Sequence, residues 1–207
     1  MRVVVGPENS GDSRQCELRR HLKMMSRFLE SAPPRASLTM VLRSAESDPA
    51  KALIGMKGAF QRLDASAQVI LAKLEPEDDL KQLFAALSAL TPHVPAHDLI
   101  RWARNPRFLE AHEQVTYGEA ICWSGDAMRR EADKRNALVL VEEGSYAARL
   151  GRLAFTALWE GSSAIPIRRL VGPASARPSA AYEQLPDPSV DPATLRPSLQ
   201  GWPLVRH

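Results

Sequence analysis

The feature that most constrains this chain is a rhythm. Short β-prone apolar runs alternate with amphipathic stretches of helical length, and only a few residues join them. Ser37 to Leu42 is such a run. After it, Ser47-Asp48-Pro49 offers an N-cap and a proline in the first helical turn, so a helix from about Pro49 to Leu63 follows. Ala67 to Ala72 reads as a buried strand. Glu75 to Leu90 then reads as a helix, with acidic residues in its first turn and Leu80, Phe84, Leu87 and Leu90 as its apolar stripe. Strands and helices in this order build β-α-β units, whose strands are normally parallel and covered by the crossover helices. The expected fold is therefore α/β, a mixed and largely parallel sheet covered by helices.

The rest of the chain extends this scheme. From Asp12 to Glu30, Leu18, Leu22, Met25 and Leu29 recur at helical spacing while Arg19, Arg20, Lys23 and Arg27 fall mostly on other faces. Pro92 and Pro95 break the rhythm between Thr91 and Asn105, where a loop with a short strand or helical turn is expected. His112 to Tyr117 and Ala120 to Trp123 look like two short strands joined at Gly118, and Ala137 to Val141 like a third. Ser145 to Trp159 makes a last helix with Leu150, Leu153 and Ala157 on one side. From Pro173 onward seven prolines fall among 35 residues and apolar periodicity is lost, so residues 1–172 are expected to fold and 173–207 to form a disordered tail. Trp202 and Leu204 are the tail's one apolar docking element.

Several function classes drop out on composition. No stretch approaches the roughly 18 apolar residues needed to cross a bilayer, so no integral membrane association is expected. Met1 to Gly6 lacks the long apolar region of an export signal. Cys16 and Cys122 are the only cysteines, too few for a disulfide framework and in keeping with a reducing, cytoplasmic compartment. The net charge of +3 eases the approach of a phosphate-bearing ligand without demanding one. His93 and His97 are kept off one helical face by Pro95, and no acidic or cysteine ligands accompany them, so neither a metal nor another cofactor is expected. Gly55 and Gly58 lack phosphate-loop spacing and read as close-packing positions in a helix. Cys122 reads as a small hydrophobe in an apolar strand.

One segment carries a candidate chemistry. His112-Glu113-Gln114-Val115-Thr116-Tyr117-Gly118-Glu119 is followed by an apolar strand and then by Ser124-Gly125-Asp126. On a strand, His112 and Gln114 share one face. This string resembles the signature of the phospholipase D-like phosphodiesterase superfamily, H-x-K-x4-D followed by a strand and a Gly-Ser-x-Asn turn. Here it reads H-x-Q-x4-E. The resemblance extends over roughly residues 50 to 165, as a helix leading into a core strand before the motif and a strand and helix ending in Phe155 and Trp159 after it.

The resemblance implies a phosphodiesterase fold in which His112 attacks phosphorus and forms a phosphohistidine, while a second histidine protonates the leaving group. Glu119 stands where the family has the motif aspartate, and Gln114 replaces the lysine that would place a full charge on the phosphate oxygens. Ser124 and Asp126 lie one residue out of the family's turn register. Arg129, Arg130, Lys134 and Arg135 are the cations that could restore charge at the phosphate, or else a solvated basic loop. The chain offers one motif where the family needs two, so a competent site implies a homodimer. Two readings follow. One is a divergent phosphodiesterase that acts on or binds nucleic acid or a phospholipid headgroup. The other is a non-enzymatic binding or regulatory module that uses the basic loop and the tail.

Overall fold

The computed structural model describes residues 3–4, 10–33, 35–104, 112–126, 128 and 139–171. Arg129, Arg130, Lys134, Arg135 and the expected tail, 173–207, lie outside them. In chain order the elements are β1 (Val3–Val4), α1 (Ser10–Ser31), β2 (Ser37–Leu42), α2 (Asp48–Arg62), β3 (Ser66–Leu71), α3 (Glu77–Leu90), α4 (Ala96–Leu99), β4 (Ile100–Trp102), β5 (Glu113–Tyr117), β6 (Ile121–Gly125), β7 (Val139–Glu143), α5 (Ser145–Glu160), β8 (Ser163–Ala164) and α6 (Ile167–Leu170).

The strands form one mixed sheet in the order β1-β7-β6-β5-β2-β3-β4-β8. Five strands run one way and three, β5, β7 and β8, run the other. Parallel pairing is confined to β2-β3-β4, the half where helices α2 and α3 cross between successive strands. The expectation of parallel neighbours holds there. Beyond β2 the connections β5-β6 and β6-β7 join adjacent strands, and adjacent strands so joined pair antiparallel.

Alternation along the strands divides the core. Leu38, Met40, Leu42, Val69, Leu71, Val115, Tyr117 and Trp123 belong to the large cluster that also holds Met25, Phe28, Leu53, Phe60, Leu80, Leu83 and Leu87 from α1, α2 and α3. On the opposite face Val41, Ile70 and Ala103 meet Phe155 of α5. A one-residue step thus decides which layer a side chain enters.

Two sequence expectations need correcting. Gly55 and Gly58 are exposed on α2 with nothing within 4 Å of where a Cβ would stand, so they are not packing positions. The stripe Leu150, Leu153, Ala157 on α5 faces solvent, and the buried side of that helix is Ala148, Gly151 and Phe155. The reason is the sheet's proximity. A Cβ at position 151 would stand 2.7 Å from Thr116 Oγ1 and closer still to Gln114 Nε2, so the helix turns its small residues toward β5 and its leucines away.

Candidate functional site

Ligands of open α/β sheets gather beyond the carboxyl ends of the parallel strands, because there the loops diverge and leave a crevice. In this chain that rim is basic. Arg43 follows β2, Lys73 follows β3 and Arg104 follows β4, and the ladder continues into them through Lys73 N to Arg43 O (2.7 Å) and Ala103 N to Leu71 O (2.8 Å). Lys73 and Arg104 are exposed, and Arg104 leans over the Trp102 ring with its Cζ 5.8 Å from the centroid.

His112 joins this rim from the neighbouring strand. It stands one residue before β5, its side chain is exposed, and continuing the β2-β5 register by two residues from Val41 opposite Gln114 sets it level with Arg43. The imidazole is therefore not wedged in apolar packing. Ser124 pairs with Gln114 across β5-β6, so His112, Gln114 and Ser124 lie on one side of the hairpin. Continuing the same ladder by one step sets Asp126, which is buried, level with His112.

Glu119 does not belong with them. It lies in the turn after β5, and the five strand residues between the two ends span about 16 Å. Its carboxylate instead accepts from Arg152 Nη1 at 3.1 Å. Gln114 is also differently used. Its amide lies under α5, 3.5 Å from Thr116 Oγ1 and 3.6 Å from Cys122 Sγ, against Gly151. The position at which the motif resemblance implied a phosphate-binding lysine therefore holds a neutral side chain engaged in packing.

The residue between His112 and Gln114, Glu113, was not singled out by the sequence, and it is what fixes the rim. Its side chain is buried, and Oε1 accepts from Arg43 N at 2.8 Å and from the Ser47 hydroxyl at 2.5 Å. Burial raises its pKa, and the bonds from Ser47 and Arg43 oppose that rise. Ser47 is the N-cap residue of α2, where its carbonyl accepts from Ala50 N at 2.9 Å, but its hydroxyl goes to Glu113 rather than to the helix. One carboxylate thus ties the start of β5 to the β2-α2 loop, holding His112 beside Arg43. A lone glutamate in an alternating strand carries no such signal; the second sign, a serine at a helix start, is read locally as a cap.

A second polar cluster escaped the sequence reading. His21 of α1, fully buried, shares a 2.6 Å hydrogen bond between its Nδ1 and Tyr117 Oη and meets the Trp123 ring edge-on at 4.4 Å. Burial, aided by Arg20, lowers its pKa to about 3, so the folded protein holds it neutral. Burial and the charge of Glu17 push the Tyr117 phenol well up. Helical periodicity places His21 beside Leu18, Leu22 and Met25 but cannot say that a phenol waits on a strand 96 residues away.

At the other end of the sheet two grooves flank the β5-β6 turn. One, of about 350 Å³, is lined by Phe28, Arg35, Tyr117, Gly118 and Arg152, among others, and the second by Arg27, Glu30, Glu119 and Glu143 with their neighbours. Gly118 shapes the first: its φ of +58° suits glycine, and a Cβ there would meet Phe28 Cε2 at 2.8 Å. Among the described residues no group of three metal-ligating side chains occurs, and no helix is long and apolar enough to cross a membrane.

No family model matches this chain, and no curated protein matches it. Among solved structures it is similar to TrmBL2, an archaeal chromatin protein whose structure shows a novel mode of DNA binding, at 14% identity and a TM-score of 0.47 over 79% of this chain and 54% of that one. This chain therefore spans about half the length of that protein. It is also similar to Nuc from Salmonella typhimurium, a phospholipase D family member, at 14% identity and a TM-score of 0.45 over 80% of this chain and 99% of that one.

Proposed function

We propose that this chain binds a phosphodiester, a nucleic-acid strand or a phospholipid headgroup, at the rim formed by Arg43, Lys73, Arg104 and His112, on a phospholipase D-like scaffold that has diverged from catalysis. The observation that carries the reading is the exposed His112, set level with Arg43, with two more cations, Lys73 and Arg104, exposed just past the carboxyl ends of the two neighbouring strands. Guanidinium and ammonium groups gathered at one rim suit the oxygens of a phosphodiester. The loop cations Arg129, Arg130 and Lys134 are proposed to extend the same surface.

Two features of the motif support divergence from catalysis. Covalent attack by an imidazole needs a cation to neutralise the charge that develops on the phosphoryl oxygens, and the amide of Gln114 offers only neutral donors from beneath α5, which leaves that task to Arg43 on the neighbouring strand. It also needs an acid for the leaving group, and a single motif histidine cannot be both nucleophile and acid in one step. A hydrolytic centre would take the second histidine from another copy of the chain.

Two measurements test this. Fluorescence anisotropy with a labelled single-stranded oligonucleotide, across a salt series, should give affinity that falls as salt rises. Replacing Lys73 and Arg104 with alanine should weaken binding and flatten the salt slope by roughly 0.7 per lost contact. Absence of binding at low salt would remove nucleic acid as the ligand. Hydrolysis of bis-p-nitrophenyl phosphate that His112→Ala abolishes would restore the enzyme reading, whereas hydrolysis that survives His112→Ala would end the nucleophile assignment.

A further inference from the structure

Helix α5 is apolar on two sides. Ala148, Gly151 and Phe155 are buried against the sheet, while Tyr146, Leu150 and Leu153 are 75%, 48% and 59% exposed, and Ala154 and Ala157 are exposed beside them. A surface helix normally sets polar residues opposite its buried stripe. Here Ser145, Arg149, Thr156 and Glu160 are the exposed polar residues of the whole helix.

The outer stripe is self-complementary. Positions 146, 150, 153 and 157 are spaced four, three and four apart, the a/d pattern of a helix seam, and this spacing reads the same from either end. Laid antiparallel on a second copy across a two-fold axis, it sets Leu150 against the second copy's Leu153 and Tyr146 against its Ala157, large against small. Ala147 and Ala154 border one side of the seam and let the helices approach. On the other side Arg149 stands opposite a threonine, Thr156, so no like charges meet.

The area agrees with a second copy. Tyr146, Leu150 and Leu153 together present roughly 300 Å² of apolar surface, in the range where an exposed patch marks an interaction site. With the alanines and the Arg149 stem, two copies bury about 1,000 Å² between them, where specific interfaces begin. We propose that the outer face of α5 pairs two copies of this chain about a two-fold axis.

This pairing has a consequence for the rim, which rests on the phosphodiester reading although the pairing itself does not. One α5 from each copy lies between the two sheets, so the sheets that carry the two His112 rings stand two helix diameters, about 20 Å, apart. The dimer therefore presents two separate binding rims to one polyanion and does not assemble a composite catalytic centre.

Sedimentation equilibrium of the full chain from about 1 to 100 µM is the test, because an interface of this size associates at roughly micromolar concentration. Dimer is expected for the wild type, with association at least tenfold weaker in Leu153→Glu and in Tyr146→Ser, both exposed positions whose change should leave the far-UV circular dichroism unaltered and, at concentrations too low for the wild type to pair, the melting as well. Combining Leu150→Lys with Leu153→Glu places opposite charges across the proposed seam and should restore dimer. A wild-type monomer at 100 µM, whatever else covers the stripe, overturns the pairing, as does a dimer that both single variants leave intact. If the wild type dimerises and both variants bind the oligonucleotide with only the avidity lost, pairing and binding both stand. If it dimerises and no form binds, the phosphodiester reading fails alone.

Discussion

The β5-β6 hairpin meets helices on both faces, and the two contacts are made in opposite ways. Toward α1 the hairpin presents its largest residues, Tyr117 and Trp123, and the helix answers with His21, Met25 and Phe28. Toward α5 it presents Gln114, Thr116, Cys122 and Ser124, and the helix answers with a glycine. The first contact holds by filling volume around one buried hydrogen bond. The second holds by close approach over small, partly polar residues, and for that reason leaves the leucines of α5 pointing outward. A helix that must lie close to a sheet cannot also turn its bulky side toward it.

The sharpest way to break this comparison is Gly151→Leu. Its side chain has no space above Thr116 and Gln114, and overpacking of this kind should cost about 3 kcal/mol in urea denaturation. A loss below 1 kcal/mol would show that α5 does not depend on close approach.

Next in size is acidification, which should act through the α1 contact. The unfolded chain's imidazole takes up its proton near pH 6.5, whereas folded His21 does so only near 3, so the stability it contributes is complete above 6.5 and lost as pH falls. At pH 5 the loss is about 2 kcal/mol. Glu113, whose pKa is raised, has the opposite sign: what it contributes is present at low pH and lost as pH rises through its folded value. Comparing urea midpoints of wild type and His21→Phe between pH 7 and 5 isolates the histidine, and equal slopes in the two would refute its burial as a neutral ring.

Tyr117→Phe should follow, at about 1.5 kcal/mol, because it leaves His21 Nδ1 buried without a partner. A double-mutant cycle with His21→Phe checks that the two effects are not additive. The smallest change belongs to the α5 side. Arg152→Ala removes an ion pair to the well-exposed Glu119, and thermal denaturation should register less than 0.5 kcal/mol. A large loss there would mean that Glu119 has a role the geometry does not assign it.

Much of the site was legible one strand at a time. The pattern of the His112 to Trp123 segment foretold a hairpin turning at Gly118, and alternation set His112 and Gln114 on one side of it. The motif spacing also invited a false pairing, His112 with Glu119, because spacing in sequence says nothing about which end of a strand a turn occupies. Lys73 and Arg104 were not read as candidates, since each follows its strand as an isolated cation. They come to one rim only when β2, β3 and β4 lie side by side.

By itself the sequence determined the order of the elements from α1 to α3 and from β5 to α5, the parallel neighbours β2 and β3, and the alternation that sorts side chains between two layers, because these depend on local periodicity and short connections, whereas β1, β8 and α6 are too short to show a period. The tertiary structure alone decided that Glu113 would tie β5 to the start of α2, that His21 would find Tyr117, and that α5 would bury a glycine and expose its leucines. Each of these is a contact between residues far apart in the chain, and what settles such contacts is the steric fit and desolvation of the partners once the layers have closed.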